Sequence, residues 1–384
     1  MRRIHDQLGL SRVINARGTY TPLGVSRSTE PVIEAVAQSL RQFFDMSELY
    51  EIAGQNIATL TGAEWGVVTH CTAASISLSV AALMTGDNGA KIGALPDTTG
   101  MNSKVVIQAG HCVNYGQPIE QAIRLSGASV IVVGSEDSCS SNELETALSD
   151  QGVCGLVLVQ SRLCRGDTVD AKDAIAMAHE KGIAVIIDAA AQDLIMADIL
   201  ALGADLSLFS AQKYLAAPTS GLVLGKRVLA EAVHLQEGGI GRGMKAGKEA
   251  VIGAVVALQQ RHKADAKALE GEQGRKAEGF VVGLNRLAPV NAELVPDPVG
   301  NPFSRVRIHL DAESCDKSVP EVREALAAAD PAIIVQDHPD EATSLMLEIN
   351  SLTDQELEII ISQLAVIVYN RPPDEMRRRN IQEW

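Results

Sequence analysis

Ala204 to Gly225 reads ADLSLFSAQKYLAAPTSGLVLG, an apolar run that ends in Ser-x-x-Lys, passes through a Pro-Thr-Ser-Gly turn and enters a second apolar run. That layout sets Lys213 at the end of one buried strand, beside the turn into the next. Open α/β sheets place ligands just beyond the carboxyl ends of their strands, so an amine at this point is where a reactive group is useful. Ser-x-x-Lys also marks serine acyl-enzyme sites, with Ser210 as nucleophile, and a strand-end lysine is often only a surface charge. The surrounding sequence has to choose between these readings.

Upstream, Ile183-Ala-Val-Ile-Ile187 runs into Asp188-Ala-Ala-Ala, which puts a carboxylate at the tip of a buried strand. Such a group is costly to bury without a cation. A protonated pyridinium nitrogen would supply one; binding Mg²⁺ or capping the next helix are the other uses. Further upstream, Thr69-His-Cys-Thr-Ala-Ala-Ser75 opens an apolar helix, Ile76–Met84. The unpaired N–H groups of a helix start, with hydroxyls and a thiol around them, make a cradle for an anion such as phosphate, although many helices begin this way as plain caps.

From about Glu34 to Arg227 the same alternation recurs. Strands are expected at Gly66–Thr69, Lys104–Gln108, Ser129–Val133, Gly155–Gln160, Ala184–Asp188, Leu206–Ser210 and Gly221–Leu224, with amphipathic helices such as Ala171–Lys181 between them and Gly182 as a left-handed stop. This predicts an α/β fold whose large domain has a mostly parallel seven-stranded sheet covered on both faces. Glu249–Leu269 reads as one long helix. After it the composition turns to Pro, Asn and Asp, with strands at Arg305–Leu310 and Ser344–Ile349 and helices at Val319–Ala328 and Thr353–Tyr369, a small C-terminal α+β domain. The expected division is an arm over 1–33 that packs on the small domain or a partner subunit, a large domain over 34–248, a connecting helix over 249–272 and a small domain over 273–384.

Composition excludes several function classes. A net charge of −15 over 384 residues disfavours nucleic acid, since phosphate-backbone binding needs clustered Lys and Arg; the short run Arg377, Arg378, Arg379 reads as a solvated tail. No stretch is long and apolar enough to span a bilayer, and Met1–Leu10 has no apolar signal core, so a soluble cytoplasmic protein is expected. Six cysteines without paired spacing suggest neither a metal site nor disulfides.

The order of cradle, aspartate and Ser-x-x-Lys, each at the end of a strand, resembles the large domain of fold-type I pyridoxal 5′-phosphate (PLP) enzymes. Val13-Ile-Asn-Ala-Arg-Gly18 with Leu23-Gly24, Leu60-Thr-Gly-Ala-Glu64 and Pro218-x-x-Gly221 are similar to the selenocysteine synthase-like group. Ala109-Gly-His-Cys-Val-Asn-Tyr-Gly116 and Gly241-Arg-Gly-Met-Lys-Ala-Gly-Lys-Glu249 resemble its D-glucosaminate-6-phosphate ammonia-lyase-like branch. The resemblance implies that Lys213 carries the cofactor as a Schiff base, that Asp188 partners the ring nitrogen, that Ser210, Cys71 and Thr72 hold the phosphate, and that His111 faces the ring or the substrate. It makes Arg242, Lys245 and Ser26 the candidates for substrate contacts. Departures are His70 and Cys71 in the cradle, Gln212 where a glycine commonly precedes the lysine, and Arg17 in its loop.

The implied chemistry is an α,β-eliminating lyase that releases ammonia and a 2-oxo acid from a β-hydroxylated or sugar-derived amino acid. Racemisation and transamination use the same site; a tRNA-dependent selenium transferase is a further alternative, opposed by the acidic charge and by the catalytic-domain pattern beginning at residue 13. The family also implies a homodimer or higher homo-oligomer.

Overall fold

The computed structural model describes residues 4–311, 314–336 and 343–369; Arg377, Arg378 and Arg379 lie outside them. Two compact units are formed, Ser28–Ala264 and a second made from the described parts of 1–27 and 265–384. Among the described residues the strands are β1 (Val13–Asn15), β2 (Trp65–Thr69), β3 (Lys104–Gln108), β4 (Ser129–Val133), β5 (Val153–Val159), β6 (Ala184–Asp188), β7 (Leu206–Ser210), β8 (Gly221–Gly225), β9 (Val290–Pro296), β10 (Ser304–Leu310), β11 (Ala332–Ile334) and β12 (Ser344–Leu347).

The larger unit is built on a seven-stranded sheet in the order β2-β8-β7-β6-β5-β3-β4. Its β3, β4, β5, β6 and β7 are parallel to one another, and β8 runs antiparallel to β7 and β2. Most of these strands are largely apolar because helices cover both faces of the sheet. In β5, Leu156 and Leu158 join the core on one face, with helices Glu30–Leu40, Met46–Thr61, Ala171–Glu180 and Lys248–Lys263; Val157 and Val159 join the other, with Thr72–Thr85, Ile119–Arg124 and Arg227–Leu235. That is the period-two alternation of a pleated strand with both sides buried. Only the edge strand β4 departs from it clearly, with Val132 half exposed. Because β3 to β7 run parallel, their carboxyl ends all lie along one edge of the sheet.

The smaller unit holds the antiparallel sheet β12-β10-β9 and the parallel pair β1–β11. Its core gathers Val306, Ile308, Leu345, Leu347, Val322, Ile360 and Leu364. Arg305 is buried there, 2.7 Å from Asp297 and 3.1 Å from Glu348.

The long helix expected over Glu249–Leu269 is instead two helices, Lys248–Lys263 and Ala266–Leu284. Ala264 leaves the helical region (φ −73°, ψ 141°), and the Asp265 carboxylate accepts the Lys267 and Ala268 N–H groups at 3.0 and 3.1 Å. An aspartate that caps the second helix so directly ends the first.

Candidate active site

Strand register assembles the candidate residues in one row. Ser210 at the end of β7 pairs with Gly221 at the start of β8, and Gly221 pairs with Thr69 at the end of β2. On the other side, the Ser210 N–H donates to Ala190 O at 3.2 Å, and Asp188 at the end of β6 pairs with Val159 at the end of β5. The Val159 N–H in turn donates to His111 Nδ1 at 3.3 Å. Cradle, Ser210 turn, aspartate and histidine therefore share the carboxyl edge of the parallel strands.

Asp188 is buried, and its Oδ1 accepts the Ala190 N–H at 3.1 Å. Desolvation pushes its carboxyl up to about 6, while the positive charge of Lys213 and the Ala190 hydrogen bond pull it back. A buried acid held near neutrality in this way is set to gain from a cationic partner. Lys213, half-buried, sits in a tight reverse turn: its N–H donates to Ser210 O, the Ala216 N–H donates back to Lys213 O, and Ala216 has φ of +57°.

The cradle is the start of helix Thr72–Thr85, for which Cys71 is the N-cap without a side-chain capping bond. The first helical hydrogen bond runs from Ser75 N–H to Cys71 O, so the N–H groups ahead of it have no intrahelical acceptor. Thr72 Oγ1 is buried with no hydrogen-bond partner among the described residues. Gly221 packs so closely beneath that a Cβ there would lie 2.7 Å from the Cys71 carbonyl carbon and 2.5 Å from Ser75 Oγ. Unpaired donors, an orphaned hydroxyl and a positive helix end fit a phosphate. With Asp188 at the end of β6 and Lys213 in the turn after β7, this donor set fits PLP.

His111 is buried in a turn after β3. Its ring nitrogens meet the Val159 N–H and, at 3.4 Å, Thr168 Oγ1. Burial drops its pKa to about 4, so it is a neutral imidazole with both nitrogens engaged. Arg242 and Lys245 are exposed on Ile240–Met244 and the residue after it. This segment is tied to the cradle, since the His70 N–H donates to Met244 O at 3.2 Å and Lys245 bridges to Thr69. Both cations act on the half-buried Glu237 carboxyl, which desolvation raises and His234, Tyr50, Lys245 and Arg242 lower. Ser26 alone of the candidates belongs to the other unit, where its N–H donates to Gly24 O at 2.8 Å.

Three residues of this edge escape a reading of the sequence. Tyr115 lies close enough to Asp188 and Cys71 for their charges, after desolvation, to raise its phenol. The second carboxylate of the Asp188 loop, Asp193, is buried and accepts the Leu215 N–H at 2.7 Å. Arg261 donates to Tyr214 O, also at 2.7 Å. Tyr115 falls within a stretch whose sequence already stands out; for Asp193 and Arg261 no local pattern announces burial.

Known proteins align with this arrangement. The aminotransferase class-V family matches residues 33–244. The chain is 31% identical to D-glucosaminate-6-phosphate ammonia lyase of Salmonella typhimurium (strain 14028s / SGSC 2262), over 95% of this chain and 97% of that one. It is 29% identical to 5′-C-glycyluridine monooxygenase-decarboxylase of a Streptomyces species, over 95% and 92%. A solved structure of D-glucosaminate-6-phosphate ammonia-lyase superposes with a TM-score of 0.88 at 30% identity, covering 96% of this chain and 99% of the other. Among the described residues no helix is long and apolar enough to cross a membrane.

Proposed function

The chain belongs to the aminotransferase class-V family of fold-type I PLP enzymes, and from that premise we propose that it is an ammonia-lyase acting on a β-hydroxylated, sugar-derived amino acid of the D-glucosaminate 6-phosphate type. One observation carries this reading: the likeness to an ammonia lyase extends over nearly the whole of both chains, rather than over the cofactor-binding half alone.

When bound, PLP serves as an electron sink that makes the substrate Cα–H acidic. The protein supplies the rest. Asp188, a buried carboxylate raised by desolvation, would keep a proton at the ring nitrogen and gain a cationic partner there. Lys213 would hold the cofactor as a Schiff base, and its amine is the general base for the substrate's Cα proton. The helix start at Thr72, with Cys71 and Ser210, holds the cofactor phosphate. Net loss of the β-hydroxyl as water, followed by water addition and release of ammonia, leaves a 2-oxo acid, so atoms and electrons balance without an external oxidant. His111, neutral and doubly hydrogen-bonded, acts as a fixed wall of the site rather than as an acid. Arg242, Lys245 and Ser26 are the candidates for substrate contact, the two cations for its anionic groups. A homodimer or higher homo-oligomer working in the cytoplasm completes the reading; light scattering across a dilution series tests the assembly.

Purified enzyme loaded with PLP is expected to release ammonia and a 2-oxo acid in equal amounts from D-glucosaminate 6-phosphate. Borohydride reduction and peptide mapping should place the cofactor on Lys213, and Lys213→Ala should abolish both the visible absorption band and product release. Absence of 2-oxo acid across a panel of β-hydroxy amino acids would overturn the substrate class. Oxygen uptake with loss of carbon dioxide would instead align the chain with its monooxygenase-decarboxylase relative.

A further inference from the structure

The turn that carries Lys213 is gripped from two directions. Leu215, buried, has its N–H satisfied by Asp193 Oδ2 at 2.7 Å, from the loop after β6. Tyr214 O accepts from the Arg261 guanidinium at 2.7 Å, from helix Lys248–Lys263. The same helix presses on the turn at Gly253, where a Cβ would come within 2.5 Å of Pro218 Cδ. Between these grips Ala216 is held at φ +57°, a left-handed conformation that a non-glycine residue keeps only where its surroundings enforce it. A buried N–H such as that of Leu215 is costly to leave without an acceptor.

Asp193 does more than accept that bond. It is 3% exposed, and its Oδ1 is buried with no hydrogen-bond partner among the described residues. The charges that face it come from both sides, Arg261 on the helix and Lys213 on the turn, while Lys213 itself faces two carboxylates, Asp188 and Asp193.

We propose that Asp193 is a positioning residue for Lys213, fixing the lysine turn through the Leu215 N–H and raising the proton affinity of the lysine nitrogen through its charge. This rests on the reading that Lys213 carries the cofactor. The two effects separate by substitution. Asp193→Asn keeps an acceptor for Leu215 and removes the charge; Asp193→Ala removes both.

The test is a pH titration of the visible absorption of PLP-loaded wild type, Asp193→Asn and Asp193→Ala, with borohydride mapping of the labelled lysine in each. A nearby negative charge favours the protonated nitrogen, so Asp193→Asn should lower the titration midpoint, by about 1 pH unit, with little change in cofactor affinity. Asp193→Ala should lower the midpoint as much and also weaken PLP binding about tenfold, because the turn loses its anchor. A role confined to folding would leave the midpoint of Asp193→Asn unmoved, and an unmoved midpoint with the label on Lys213 overturns the inference. Should Asp193→Ala fail to fold, the isosteric Asn variant still decides. A label on another lysine in wild type would instead overturn the assignment of Lys213, a distinct outcome.

Discussion

Asp188 is where composition, burial and chemistry meet in a single side chain. Desolvation lifts its carboxyl to about 6, so without the cofactor the folded chain holds that proton more tightly than the unfolded chain does. The stability this contributes is fully present below the ordinary aspartate range and is lost as pH rises through about 6. A cation on the cofactor ring reverses the penalty. The rise in Tm on adding PLP is therefore expected to be larger at about pH 7.5 than at about pH 5, and the contrast should shrink in Asp188→Asn, as differential scanning fluorimetry would record. In turnover, Asp188→Asn should lose on the order of a hundred- to thousandfold in kcat, the usual loss when one preorganised electrostatic partner is removed. Asp188, Lys213 and Ser210 were legible in the sequence because apolar runs announce where strands end. Asp193 and Arg261 were not, since their burial follows from how helix Lys248–Lys263 lies against the lysine turn, a contact between segments distant in sequence.

Among the elements, the junction of β2, β8 and helix Thr72–Thr85 has the least room. Gly221 stands in the sequence as part of a Pro-x-x-Gly resemblance, but its physical reason is the closeness of Cys71 and Ser75. Gly221→Ala should push the cradle outward and weaken PLP binding by about tenfold or more, read by equilibrium titration of the visible band, while the labelled lysine stays the same. All seven strands of the large sheet were readable from apolar runs bounded by turn residues; six are buried on both faces, which gives the strongest such signal, and the edge strand β4 keeps its β-branched run. The break at Asp265 was missed: helix-forming residues continue on either side, and one capping carboxylate outweighs the propensity of its neighbours.

At the scale of the whole molecule, the sequence foretold an α/β sheet followed by a smaller α+β region, and the described residues contain both. It could not foretell that β1, near the amino end, pairs with β11, near the carboxyl end, because periodicity marks strands without naming their partners. In that smaller unit, buried Arg305 bridges Asp297 and Glu348. Arg305→Met should leave two buried carboxylates facing each other and cost about 3–5 kcal/mol, seen as a lower Tm with the wavelength of the PLP band unchanged. The pairing of β1 with β11 also governs the order of assembly. Its strands lie more than 300 residues apart, so during synthesis the first stays without its mate until Ala332–Ile334 has left the ribosome, whereas every strand of the seven-stranded sheet has emerged well before. The nascent chain thus has every strand of the large sheet available before β1 can meet β11, and a truncation ahead of Ala332 leaves β1 without its partner strand.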